Sequence, residues 1–353
     1  MNMFKFFHSQ STTVIGAAIL IGFFSFASKV VGLIRDRVLA GAFGAGDTLD
    51  IYYAAFKVPD FLFNLIVIGA LSASFIPMFT KHHNNVLHPK RAWIFTNNML
   101  HLMGLSMICV AVILFVFANP ISVLIAPGFN AYKQSEVASF TRVMLLSEIF
   151  LAVSLVFGGV LQSLKRFFIY SLAPIFYNAG IVIGAVLFSK WFGSIGLAYG
   201  VVLGAMMHFG IQAYGMRGTG YRYERIFLWK DRDTKEVLRK MVPRVLGIGM
   251  NQLLFLVLTV IASTLEAGSV TIFQFAYNVE FFPIGVFGVS YAIAAFPTLS
   301  EHFTSNILEA FREVFASTIR QLLFFLIPVT IVFLLLRAQI VRVVVGAGAF
   351  DWT

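Results

Sequence analysis

Long apolar runs alternate with short polar breaks along this chain, and the runs have the length needed to cross a bilayer. About 20 consecutive apolar residues span the hydrocarbon layer as a helix. On that measure the sequence predicts roughly nine spans, near 12–34, 50–80, 93–118, 138–163, 168–189, 194–215, 242–264, 270–298 and 316–337. The second is long and broken. None reads as a strand of an outer-membrane barrel, whose residues alternate over about ten positions. The expected fold is an all-α polytopic membrane protein. It divides into an N-terminal six-helix lobe over 1–215, a basic linker over 216–241 and a partial C-terminal lobe of about three helices over 242–353.

Polar residues interrupt this pattern most strongly between Lys29 and Thr80, where Lys29, Arg35, Asp36, Arg37, Asp47, Asp50, Lys57 and Asp60 stand in otherwise apolar sequence. Charges at hydrocarbon depth are expensive and are kept for pathways and cavities. Pro59 and glycine clusters break the same helices, and broken charged helices are how many carriers build a site at mid-membrane. The stretch therefore points to transport.

Composition supports lipid as the solvent. The 353 residues are 59% hydrophobic and 12% charged, against about 25% charged in soluble domains. The net charge of +10 does not indicate nucleic acid, because the basic residues gather in loops as the positive-inside rule expects. With the N-terminus in the cytoplasm, Lys81, Lys90, Arg91, Lys165, Arg166 and the basic 216–241 loop all fall inside, while the outward loops carry only Lys133 and Lys190. That loop reads either as an amphipathic linker on the inner leaflet or as a patch for anionic lipid head groups. The lone Cys109 forms no internal disulfide. The first span runs on into the charged motif, so no cleavable signal peptide is expected.

The sequence also repeats itself. AGDTLDIYYAAF at Ala45 is echoed by AGSVTIFQFAY at Ala267, and SFIPMFTKH around Pro77 by AAFPTLSEH around Pro297. LIAPGF ending at Phe129 is matched loosely by VGAGAF ending at Phe350. Repeats of multi-helix units with the substrate site between them are a familiar carrier plan. Because the first copy supplies six spans and the second three, the repeat predicts at least three further helices beyond Thr353.

Each candidate residue carries a plain reading beside a functional one. Lys29, Gly32 and Asp36 share a helical face. Lys29 and Arg35 suit an anionic phosphate head group, or else the Arg35–Asp36–Arg37 run ends the first helix at the interface. Asp50, Tyr53, Lys57 and Asp60 share a face of the second helix. Pro59 removes a backbone hydrogen bond and frees the carbonyl near Ala55. A Lys57–Asp60 pair would close that kink as a gate or brace, and Asp50 would face the cavity. Glu148 and Glu280 are lone intramembrane acids, each either a carrier of a coupling proton or cation or a hydrogen-bonded structural group. His82, His83 and His88 lack metal-ligand company, and no phosphate loop or nucleophile with a base is present. Neither an enzyme nor a metal or cofactor site is expected.

The stretch GLIRDRVLAGAFGAGDTLDIYYAAFKVPDFL resembles the opening of the MurJ (MviN) family of lipid II flippases, within the multidrug/oligosaccharidyl-lipid/polysaccharide exporter superfamily. PRVLGIGMNQLLFLVLTVIASTLEAGSVTIFQFAYNVEFFPIGVFGVSYAIAAFPTLS resembles that family's seventh and eighth helices. The resemblance implies fourteen helices, two six-helix lobes in a V, a central cationic cavity and a groove for the lipid tail. It also implies a bacterial inner-membrane carrier of an undecaprenyl-diphosphate-linked peptidoglycan precursor, driven by a coupling ion or the membrane potential. Lys29 stands where the family has a cavity arginine, Arg35 and Asp36 match its RD pair, and Asp50 matches an acid of its DAF-like segment. Phe63, Asn64 and Asn278 stand where the family often has basic residues. A related lipid-linked saccharide, a drug or polysaccharide exporter, and a non-transporting membrane scaffold stay open beside lipid II transport.

Overall fold

The computed structural model describes residues 14–68, 75–85, 90–288 and 307–350, with Tyr291, Ala295, Leu299, His302 and Phe303 between the last two ranges. His88, Pro297 and Ser300 lie outside these residues. The helices in order are α1 (Val14–Phe43), α2 (Asp47–Leu62), α3 (Ile76–His83), α4 (Arg91–Val116), α5 (Ala118–Ile125) and α6 (Ala131–Ser163). They are followed by α7 (Phe167–Ile183), α8 (Gly196–Gly215), α9 (Arg232–Ser263), α10 (Ser269–Pro283), α11 (Leu308–Leu335) and α12 (Arg337–Val344). No strand occurs among the described residues.

Among the described residues, five helical stretches are long and apolar enough to cross a membrane on those grounds alone: Arg91–Val116, Ala131–Ser163, Phe167–Gly215, Ser269–Gly288 and Leu308–Leu335. The third folds back on itself at Gly193, whose φ of +69° suits glycine, so it supplies two crossings. The other predicted spans fall on α1, α2 and α9. Helix α1 carries Lys29, Arg35, Asp36 and Arg37 in its C-terminal half, α2 has 16 residues, and α9 contains a shorter apolar stretch over Gly249–Ser263. Helix α9 begins at Arg232, inside the segment expected to be a linker.

Glycine sets how closely α7 and α8 approach. A Cβ at Gly200 would fall 2.5 Å from the Gly184 Cα, and one at Gly180 would fall 2.3 Å from the Gly204 Cα. The two helices therefore touch backbone to backbone, the packing that small residues permit where lipid removes the hydrophobic drive.

Both copies of the repeat show the same local breaks. Helix α2 contains Pro59 and passes into a π-helical turn at Phe63–Ile68, and α10 ends on Pro283 and passes into one at Ile284–Gly288. The short α5 and α12, of 8 residues each, are each followed by a glycine turn, and the two turns clasp reciprocally. The turn after α5 abuts the end of α9, where Gly128 N–H donates to Ser263 Oγ at 3.3 Å. The turn after α12 abuts the end of α1, where Ala349 N–H donates to the Gly41 carbonyl at 2.9 Å. Gly268 closes the same end, because a Cβ there would fall 2.6 Å from the Ala45 carbonyl oxygen.

Candidate functional site

The central cavity, of about 340 Å³, opens between α1, α2, α6, α7, α8 and α10. Helix α2 turns Tyr52, Tyr53, Phe56, Lys57 and Asp60 to it at helical spacing, and Phe63 follows from the π-helical turn. Arg35 enters from α1, Glu148 from α6, Tyr177 from α7, His208 from α8, and Gln274 and Asn278 from α10.

A single relay of side-chain hydrogen bonds crosses the cavity wall. Lys57 Nζ donates to Gln274 Oε1 at 2.8 Å, Gln274 Nε2 to Asn278 Oδ1 at 3.0 Å, and Asn278 Nδ2 to Asp36 Oδ2 at 2.8 Å. Arg35 closes the relay from the other side, giving Nε and Nη2 to Asp36 Oδ1 and Nη1 to Asn178 Oδ1. Asn178 in turn donates to the Pro174 carbonyl one turn back, at 3.0 Å. Asp36 is 2% exposed, so this pairing is what lets a carboxylate sit inside the protein.

Several expectations are corrected here. Lys57 does not pair with Asp60, because its longer arm reaches across to Gln274 on α10. The Ala55 carbonyl, freed by Pro59, is not left for a ligand, since Thr141 Oγ1 on α6 donates to it at 3.3 Å. Of a backbone or a ligand approaching over Gly32, no backbone does so among the described residues, since a Cβ there would meet open space beside a small cavity. Asp50 does not face the cavity. It is 1% exposed and accepts from Gly268 N–H at 2.6 Å, Thr271 N–H at 2.9 Å and Thr271 Oγ1 at 2.7 Å. Helix α10 starts on Gly268, which has no side chain to cap it. Asp50 serves as that cap from another helix, with its charge at the positive end of the dipole.

Lys29 lies outside the central cavity, beside a smaller one of about 130 Å³ that Gly32, Asp36, Asn278, Phe281 and Phe282 also line. Its ammonium sits 4.8 Å from the centre of the Phe281 ring, and no carboxylate among the described residues pairs with it. Gly285 makes room for it, since a Cβ there would overlap Lys29 Nζ. Glu280 is set apart from both cavities. It is exposed and lines an apolar pocket with Phe275, Val279 and Arg337. Glu148 is 2% exposed, and among the described residues it is held only by the Ser147 hydroxyl, at 3.3 Å from Oε1.

The residues that sequence reasoning missed are polar ones inside apolar spans: Asn178, His208, Gln274 and Thr271. Their signal was that a lone polar side chain in such a span needs a partner.

At the opposite, basic end of the bundle the segment before α9 is pinned to α4. Arg91 pairs with Asp231 and Asp233 at 2.8 and 2.7 Å, and Asp233 also meets His82 at 2.9 Å. Tyr221 donates to Asn97 Oδ1 at 2.7 Å. Burial pushes its phenol up to about 12, so it stays a donor at any physiological pH.

A family model described as lipid II flippase MurJ matches residues 39–353. A Rickettsia prowazekii protein described as a probable lipid II flippase MurJ is 26% identical over 344 residues, covering 96% of this chain and 67% of that protein. A Borreliella burgdorferi protein of the same description is 27% identical over 337 residues, covering 95% and 66%. The chain thus spans about two thirds of the length of such relatives. Among solved structures, lipid II flippase MurJ in an inward closed conformation superposes with a TM-score of 0.78 at 23% identity, covering 95% of this chain and 69% of that one. An inward-facing MATE-family multidrug transporter gives 0.72 at 16%, covering 92% and 73%. At these identities the structural likeness speaks for the fold.

Proposed function

Because the chain belongs to the MurJ family of lipid II flippases, we propose that it carries a lipid-linked saccharide diphosphate of the lipid II kind across the bacterial inner membrane. It would work by alternating access, as a multi-pass protein with its N-terminus in the cytoplasm. The process is transport, with no covalent chemistry asked of the residues. In this orientation the clasped end, with Asp50, Gly268 and the glycine turns, faces outward and is shut, and the basic end faces the cytoplasm.

The observation that carries the reading is the division of labour between Lys29 and Arg35. Arg35 is committed to Asp36 and Asn178, whereas Lys29 has no anionic partner among the described residues and holds its charge over an aromatic face. An unpaired ammonium beside a cavity between α1 and α10 is placed to receive a phosphate as a point charge. The polar wall would hold the head while the tail stays in the bilayer, and membrane lipids would surround the whole. The substrate would drive the change of state only through a difference in its affinity for the two states.

A second reading has its own support. Phe63 and Asn278 bring no charge to the central cavity, while Asp60 and Glu148 bring two acids to it. That balance favours a less anionic cargo, such as another lipid-linked saccharide or an amphiphilic drug.

Complementation of a flippase-depleted bacterium separates the readings. The wild-type chain is expected to restore growth, and Lys29→Ala and Lys29→Glu to lose it while still reaching the membrane. Growth undiminished by Lys29→Glu would sink the head-group assignment. Drug efflux without rescue would favour the second reading.

A further inference from the structure

Of the acids at and beside the central cavity, Asp36 is paired with Arg35 at 2.8 Å, whereas no cation among the described residues pairs with Asp60 or Glu148, Lys57 reaching Gln274 instead. Asp60 is half-buried and Glu148 is fully buried.

The surroundings of Glu148 make a bare charge there costly. Glu148 is 2% exposed, and its Oε2 has no hydrogen-bond partner among the described residues. Oε1 has only the Ser147 hydroxyl. A bare carboxylate in such a place costs many kcal/mol and is normally relieved by neutralisation. No cation is free to do it, since the Arg35 donors go to Asp36 and Asn178 and Lys57 Nζ goes to Gln274. A second buried polar atom on the same cavity is also without a partner, the Tyr53 hydroxyl, on a residue that is 6% exposed. Two orphaned groups lining one hydratable cavity mark a site that something else completes.

The remaining titratable groups offer no alternative. Helix α2 presents Tyr52 beside Tyr53, α7 presents Tyr177, and α8 presents His208, whose Nδ1 meets the Ser154 hydroxyl at 2.7 Å. Helix α10 presents only the amides Gln274 and Asn278, and no residue of α4 or α5 lines the cavity.

We propose that Glu148, with Asp60 in the same cavity, is a proton-binding site of this carrier. Glu148 holds the proton while the outer end is clasped shut. Protonation removes the bare buried charge and turns the orphaned Oε2 into a group that can donate to water. Opening to the other side exposes the acid to a second solution, where the proton is exchanged. The proton is thereby a ligand whose affinity differs between the two states, which is what coupling requires. The use made of the proton rests on the transport reading, but its presence does not.

The test is infrared difference spectroscopy of the full chain in lipid nanodiscs, without any lipid substrate, at neutral pH and through a pH titration. Wild type is expected to show the C=O band of a protonated carboxylic acid that shifts in D2O, is lost in E148Q, and survives exchange of potassium for sodium. D60N should keep the band and displace its titration midpoint, a response that a merely structural Glu148 would not give. Wild-type and E148Q spectra without a difference in that band would overturn the proposal. Loss of the band on adding sodium would overturn it in favour of a metal-ion site. Should E148Q fail to fold, D60N decides alone, since a band with an unmoved midpoint rejects the pairing. Because no lipid-linked substrate is present, failure here leaves the flippase reading standing, and failed complementation leaves the proton site standing.

Discussion

Single residues in this protein take their meaning from partners that are remote in sequence. Asp50 is the plainest case, since the groups it caps lie 218 and 221 residues away. Asp50→Ala strands two buried N–H donors at the start of α10, at a cost of about 1–3 kcal/mol each. It is therefore expected to lower the melting temperature in detergent. In a Cys109→Ser background it should also raise the labelling rate of a cysteine placed at Ala45. Melting unchanged from wild type would show that Asp50 is not holding that end. Lys57→Met tests the reach to Gln274. It should cost roughly 1 kcal/mol, the net worth of one such bond, in both the presence and the absence of an Asp60→Asn change. A loss that appears only with Asp60 intact would restore the local pair. The sequence suggested that pair because the residues are neighbours on one helix. Adjacency is legible in a sequence, whereas the direction a long flexible side chain takes is settled by what stands opposite.

At the scale of elements much was readable. Apolar runs mark helices because the bilayer leaves the backbone no other way to satisfy itself, so the all-α fold and most spans follow from local pattern. The repeat was visible as well, in the motifs at Ala45 and Ala267 and in the turns at Phe129 and Phe350. The partners of the broken helices were not. The Ala55 carbonyl looked available until α6 placed Thr141 beside it, a contact 86 residues away that no spacing rule reports. The α7–α8 hairpin makes a sharper prediction. At Gly200 any side chain must enter the Gly184 backbone, so Gly200→Leu is expected to abolish monodisperse protein on size exclusion, while Gly32→Ala, with open space around it, should behave as wild type. At the other end of the bundle, Arg91→Ala removes both carboxylate pairs that anchor the segment before α9. The pairs are partly exposed, so stability should change by only about 1 kcal/mol. Tryptic cleavage at Arg222 and Arg225 should nevertheless accelerate several-fold. A cleavage rate equal to wild type would mean that Tyr221 and its neighbours hold the segment without the ion pairs.

For the whole molecule the decisive feature is how its two copies are joined where the cavity is shut. An ideal Cβ at Gly41 would stand 3.4 Å from the Ala347 Cβ, close to the roughly 3.8 Å separation of a disulfide. Gly41→Cys with Ala347→Cys, again in a Cys109→Ser background, is expected to cross-link spontaneously, to block growth rescue, and to regain it under a reductant. Rescue that persists with the bond fully formed would show that this end need not part during transport. The family and its fold explain why two such copies face one another, but the material of the joint has a consequence of its own. It is made largely of carbonyl oxygens, amide hydrogens and the absence of side chains at Gly41, Gly44, Gly128, Gly268 and Gly348. Chemistry of that kind is nearly blind to the identity of neighbouring residues. Substitution can therefore rewrite the lining, at Phe63 or Asn278 for example, without loosening the closure. A carrier built this way can change its cargo while keeping its door.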